Sequence, residues 1–380
     1  MLAIINGKIH DGTGSVIESG TILIKEGKVE NIGSSMKIPE EYKIIDAQGK
    51  TITPGLIDVH THLGIHEEGI GKEGHDFNET SDAATPSMRA IDGINPFESG
   101  FEDARAAGIT TVQVMPGSAN VIGGEMAVLK TVGTIIDEML VRSPSGMKAA
   151  MGENPKKYHG EKGRLPVTRM GVSALLRTNL INAQTYEKNV ESGKTDRDLG
   201  MENLVKVLNK EVPLRVHAHR ADDILTVLRI RKEFDIDVTI EHCTEGHKIA
   251  EFIAETGVRV SVGPTISTRS KVELADKGWN TIVELARAGV PISITTDHPV
   301  VGIEHLITSA ILAVKNGLTE QQALQAITIN SAKHLGVSDR VGSLEVSKDA
   351  DIVLWSGDPF DLRTKVVMTI INGKIAFEAN

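Results

Sequence analysis

The chain begins and ends in one texture of apolar and polar positions and runs through its middle in another. Over residues 1–53, "LAIINGKI", "GTILIKEGKVENIG" and "YKIIDAQGKTITPG" alternate apolar and polar positions around Asn-Gly and Glu-Gly dipeptides, the pattern of half-buried strands joined by tight turns. "GSLEVSKDADIVLWSGDPF" and "KVVMTIINGKIAFE" repeat that texture at the other end. The hexapeptide IINGKI stands in both, at residues 4–9 and 370–375. Each copy reads as a hairpin, turned at Asn6-Gly7 or Asn372-Gly373, where the turn demands positive φ. The two ends are therefore expected to form one small β-sandwich, residues 1–53 plus 343–380.

Between them, over residues 54–342, apolar runs alternate with polar loops and helical stretches, which implies βαβ units and a mostly parallel sheet. Eight runs read as strands: "GLIDVHTH", "ITTVQVM", "EMAVLKTVG", "GMKAAMGE", "VPLRVHAH", "DVTIEHC", "GVRVSVG" and "VPISITTD". Eight is the number that closes a (β/α)8 TIM barrel, so the expected fold is α/β, a barrel interrupting a sandwich. The last barrel helix, "LTEQQALQAITINSAKHLG", opens on Thr319 and Gln322 at capping-box spacing and stops at Gly336.

Composition narrows the function. A net charge of -10 with only 3% aromatic residues disfavours a nucleic-acid binder, which wants a basic face and stacking rings. No basic segment leads into an apolar one at the N-terminus, and no apolar run reaches the roughly 18 residues of a membrane span, so a cytoplasmic protein with no membrane partner is expected. The lone Cys243 excludes an intrachain disulfide. Beside His242 on a strand it points to the opposite face, as packing rather than as a nucleophile.

Side chains at the ends of barrel strands point into the mouth of the barrel, and here those ends are rich in metal-ligand types. The first ends at His60-Thr-His62, the fifth at His217-Ala-His219, the sixth at His242 and the eighth at Asp297-His298. Histidines at i and i+2 on a strand point the same way, so His60 and His62 can share one cation. Neutral imidazole and carboxylate suit zinc and similar divalent ions.

These motifs carry a resemblance. "PGLIDVHTHLG", "ITTDHP" and "NSAKHLGVSDRVGSLEVSKDADIVLW" are similar to the amidohydrolase superfamily of metal-dependent hydrolases, and "VHAHRADDI" and "GITTVQVMPG" to its imidazolonepropionase-related branch. The resemblance implies one or two divalent ions of the zinc type per subunit. His60 and His62 would ligate the first, His217 and His242 the second, and Asp297 would sit at the metal and serve as the base. Many members bridge the two ions with a glutamate or a carbamylated lysine from a central strand. "GMKAAMGENPKKYHG" offers both, and Glu153 is preferred as the bridging ligand because Lys148 lies five residues earlier, about 16 Å back along an extended chain. Lys130 is a weaker competitor for the bridging role and reads rather as a snorkelling or salt-bridged lysine.

His219 is expected to face the same cavity as His217 and to polarise a substrate carbonyl. Arg220 and Arg169 are candidates for gripping a substrate carboxylate. The long acidic stretch from Leu63 to Glu98 reads as a lid, a substrate loop or a subunit contact. The expected function is cleavage of a C–N bond, an amide or cyclic amide, in a small molecule. A divalent ion acidifies water to a pKa of about 7, and Asp297 takes the proton and passes it to the leaving nitrogen. The alternatives are a deaminase of a heterocyclic amine, a dipeptidase acting on N-acyl or imino-linked amino acids, and a non-catalytic binding protein on an inherited barrel. A homo-oligomer is compatible with all of them.

Overall fold

In the computed structural model, which describes residues 1–34 and 36–379, two sheets organise the chain. The first five strands are β1 (Leu2–His10), β2 (Val16–Lys25), β3 (Lys28–Gly33), β4 (Lys43–Asp46) and β5 (Thr51–Pro54). The next eight are β6 (Leu56–Thr61), β7 (Ile109–Val114), β8 (Ile122–Lys130), β9 (Leu140–Ala150), β10 (Leu214–Ala218), β11 (Val238–His242), β12 (Arg259–Val262) and β13 (Ile292–Ile294). Three more follow: β14 (Ile352–Trp355), β15 (Val366–Ile371) and β16 (Lys374–Glu378). One sheet runs β16-β15-β14-β5-β1-β2-β3, with β4 also on β1, so strands from both chain ends share it. It encloses its own apolar cluster, including Ile4, Ile22, Ile52, Ile352 and Ile370.

The two IINGKI copies do different things. Asn372 and Gly373, both at positive φ, turn the β15–β16 hairpin as expected. Asn6 also has positive φ, yet β1 runs straight through it, and the register against β2 shifts between Ile4 and Gly7. That copy is a bulge rather than a hairpin, because β1 is held on both flanks, by β2 and by β4 and β5, and cannot fold back. The Glu26-Gly27 pair makes the two-residue hairpin turn joining β2 and β3.

The other sheet runs β13-β12-β11-β10-β9-β8-β7-β6 and nearly closes, since Thr61 bridges His298 and the His62 N–H donates to the His298 carbonyl. All eight expected runs are strands of it. Regular β/α alternation fails at one place: β8 is antiparallel to both β7 and β9. The connections at 115–121 and 131–139 are too short for a parallel crossover, which takes about a dozen residues or more. The expected single last helix is two, Glu320–Ala326 and Ile329–Leu335, broken at Ile327-Thr328, although the Thr319–Gln322 capping box forms as read.

Lys130 joins the two sheets. It is buried at the end of β8 with Nζ 3.2 Å from Asp349 and 2.5 Å from Asp351, just before β14. Lys130→Met would leave the buried Asp351 carboxylate without its cation, while Asp349 keeps Lys28 and Arg340, and is expected to cost about 3 kcal/mol of stability in urea unfolding, with activity per folded molecule unchanged.

Candidate metal centre

The ends of β6, β10, β11 and β13 meet at one mouth of the barrel, as their side-chain types suggested. His60 Nε2 and His62 Nε2 lie 3.4 and 3.3 Å from Asp297 Oδ1, so the HxH pair and the carboxylate after β13 converge on one point. His217, His219 and His242 form a second group, with ligand nitrogens all within 4.8 Å of one another. The His60 and His242 ring centroids are 4.6 Å apart, which makes the two groups one continuous cluster.

Each imidazole is aimed by a contact at its other nitrogen. Nδ1 of His62 donates to the Met115 carbonyl, and Nδ1 of His242 to the Gly263 carbonyl, both at 2.7 Å. Nδ1 of His60 lies 3.3 Å from the Glu241 carboxylate, Nδ1 of His217 lies 2.9 Å from Ser118 Oγ and Nδ1 of His219 lies 2.7 Å from Thr244 Oγ1. A carbonyl partner fixes the tautomer with Nε2 as a lone-pair donor, the arrangement of a metal-binding histidine. His242 Nε2 is buried with no hydrogen-bond partner among the described residues. A divalent cation fits that donor chemistry.

Burial lowers His60 to about 3, reinforced by the charges of Lys148 and His242, and it likewise drives His217 and His219 well down, so these rings are neutral ligands at neutral pH. For Asp297, burial pulls upward. Its contact with His62 and the nearby His242 and His60 rings overcome it and hold the carboxyl well below the usual range. Both His242 and Asp297 have positive φ, a backbone region that costs a non-glycine residue about 1 kcal/mol or more and that recurs where side chains are forced into a site. Asp58, two residues before His60, anchors this corner: its carboxylate accepts from the Thr295 and Thr296 hydroxyls and from the His60 N–H. Burial pushes it up to about 6.

The central strand departs from expectation. Glu153 does not reach the imidazoles. Strand β9 stops at Ala150, Gly152 turns the chain at φ 84°, and Glu153 starts the helix Glu153–Gly160 with its carboxylate on the Glu273 N–H at 3.1 Å. Lys148 takes the central place instead, fully buried with Nζ 3.2 Å from His60 Nε2. The position of its Cα along β9 misled, because a lysine stem carries its nitrogen several ångströms up the barrel. Burial lowers Lys148 to about 8.

The two arginines turn away. Arg169 pairs with Asp223 at 3.0 Å, and Arg220 forms an exposed pair with Asp222 at 2.8 Å. Neither lines the cavity of about 860 Å³ that opens over the imidazoles. His66, Phe77 and Asn78 from the long 63–98 segment do line it, with His66 stacked on Phe77 at 4.3 Å, and so does His219. Cys243 is buried, and burial raises its thiol. Sequence reading missed Asp58, Glu241 and Glu273. The first was visible in "LIDVHTH", on the same strand face as His60; Glu273 sits in a loop with no motif to mark it.

The Amidohydrolase family pattern matches residues 51–376. A solved amidohydrolase from Thermotoga maritima MSB8 is 41% identical over the whole of both chains, with a TM-score of 0.97. Imidazolonepropionase of Alkaliphilus oremlandii (strain OhILAs) is 24% identical, over 96% of this chain and 91% of its own. Amidohydrolase tasK of Hapsidospora irregularis is 28% identical over 94% of this chain, which spans only 40% of that relative's length. The chain belongs to the amidohydrolase family, hydrolases of carbon–nitrogen bonds, and is related to its imidazolonepropionases.

Proposed function

We propose that the chain hydrolyses an amide or cyclic amide of a small molecule, with divalent ions of the zinc type held by His60, His62 and Asp297 on one side and by His217 and His242 on the other. The observation that carries this is the convergence of His60 and His62 Nε2 on Asp297 Oδ1 at the floor of an open cavity. Such ions supply Lewis acidity and acidify water to a pKa near 7. Asp297, held ionised, accepts a proton from the attacking water and returns it to the leaving nitrogen. His66 and Phe77 wall the reacting group from solvent. His219, set among the other imidazoles, is read with the second ion rather than as the group that polarises the carbonyl. Lys148, as the carbamate its amine would form with CO2, takes the bridging role expected of Glu153. Residues 1–53 with 343–380 serve as a small sandwich domain beside a TIM-type barrel, a reading supported by their separate apolar core.

The test is metal analysis of the purified chain together with assays of the zinc-loaded protein on cyclic amides, N-acyl amino acids and imino-linked dipeptides. Turnover that a chelator removes and zinc restores is expected, with no ammonia released from aminoheterocycles. Ammonia release with no amide cleavage would transfer the assignment to a deaminase, and a chain that binds no metal would overturn it.

A further inference from the structure

We propose that Glu273 is a donor to the cation held by the second imidazole group, completing with His219 the seat that His217 and His242 begin. This rests on reading that group as a metal seat. Glu273 lies in the 3-10 turn Val272–Leu274, in the loop that follows β12, and its side chain is 1% exposed. Its Oε1 is 3.6 Å from His217 Nε2 and 3.7 Å from His219 Nε2. Two ligands on arms of about 2.0–2.1 Å at the tetrahedral angle stand about 3.4 Å apart, so these separations suit a shared zinc-type ion. Too long for direct hydrogen bonds, they leave the Lys271 ammonium, at 2.8 Å, as the close partner of this buried Oε1.

The carboxylate is also locked in place. Its Oε2 accepts the Glu153 N–H at 2.9 Å, while the Glu153 carboxylate accepts the Glu273 N–H at 3.1 Å. Gly152 leaves room for this clasp, since a Cβ there would come within 2.8 Å of Glu273 Oε2. A buried anion fixed by a reciprocal clasp and aimed at two imidazole nitrogens is the pre-organisation a metal ligand requires. Lys271 competes for it: its ammonium is 2.8 Å from Oε1 and 2.9 Å from Asn154 Oδ1, so cation binding shifts Lys271 toward Asn154.

The experiment is cobalt titration of the metal-stripped protein, followed by visible d–d absorption and metal content, on wild type, Glu273→Gln and Glu153→Gln. Glu273→Gln keeps an amide oxygen for the clasp and is expected to weaken one of two ions by about 100-fold or more, beyond the 10–100-fold typical of a group that only supports a ligand. Glu153→Gln, which perturbs only the clasp, is expected to weaken it by about 10-fold or less. Equal losses in both variants, or none in Glu273→Gln, overturn the proposal while leaving the seat intact. A wild type that binds no ion sensitive to His217→Ala overturns the seat itself. Independent of how Glu273→Gln affects loop stability, a zinc-edge anomalous map of wild-type crystals gives a second reading: an ion within about 2.2 Å of Glu273 Oε1 is expected, and one seated only on imidazoles refutes the assignment.

Discussion

Asp297→Asn is expected to lower kcat by about 10²- to 10⁴-fold, the range for loss of a positioned general base. The substitution preserves shape and the positive-φ backbone, which asparagine tolerates as well as aspartate does. It removes the charge that His60 and His62 face at 3.4 and 3.3 Å. The His62, His242 and His60 rings hold this carboxyl well below the usual carboxylate range against its burial, so Asp297 is ionised at neutral pH. A base of that kind surrenders its proton readily to the leaving nitrogen. The acid limb of activity should therefore report protons competing with the cation for imidazoles, and it should move to lower pH as free zinc is raised. Steady-state kinetics with parallel metal analysis separates the effects: a variant that keeps its ions yet loses turnover identifies the base. Undiminished turnover would remove Asp297 from the role of base.

How far the sequence could be read depended on whether a side chain acts where its backbone lies. His60, His62, His217, His242 and Asp297 are short side chains at strand ends, so strand periodicity and order along the chain were enough to bring them together. The strand positions were equally legible because apolar runs mark them. Direction was not, and β8 inverted without any change in its composition. Side chains with long reach or close charged neighbours escaped the same reasoning. Lys148 delivers its nitrogen far from its Cα, while Arg169 and Arg220 are taken by Asp223 and Asp222, the latter two being acids in the same short run "RADD". Glu273 depends on a loop whose path is set by tertiary contacts with Glu153, which no local pattern announces. The two IINGKI copies make the point at the level of backbone: one hexapeptide is a hairpin or a bulge according to what flanks it.

Lys148→Met should produce opposite changes in activity and stability. Loss of turnover by about 100-fold or more is expected, with loss of metal, because the amine at the centre of the cluster is replaced by an unreactive thioether. The role assigned to it is a carbamate: neutral Nζ attacks the carbon of CO2, one amine proton is released, and a carboxylate stands between the two groups of imidazoles. Its lowered pKa of about 8 makes neutral amine available near physiological pH. Reloading the stripped wild type with zinc should therefore be faster in bicarbonate than in CO2-free buffer, and the variant should not respond.

The same burial has a cost in the metal-free chain. Lys148 is depressed from 10.5 to about 8, so between those values the unfolded chain binds more protons than the folded one and wild-type stability rises with pH. Below about pH 8 the full cost of burying the ammonium remains. Lys148→Met escapes it, and a gain of about 1 to 3 kcal/mol in urea unfolding at pH 7 is expected, shrinking toward pH 10.5. A variant less stable than wild type at pH 7 would mean that the contact with His60 and the attraction of Asp297 outweigh desolvation. A variant that kept its ions and its turnover would remove Lys148 from the centre. Both expected signs together describe a residue retained for chemistry against the stability of its own fold.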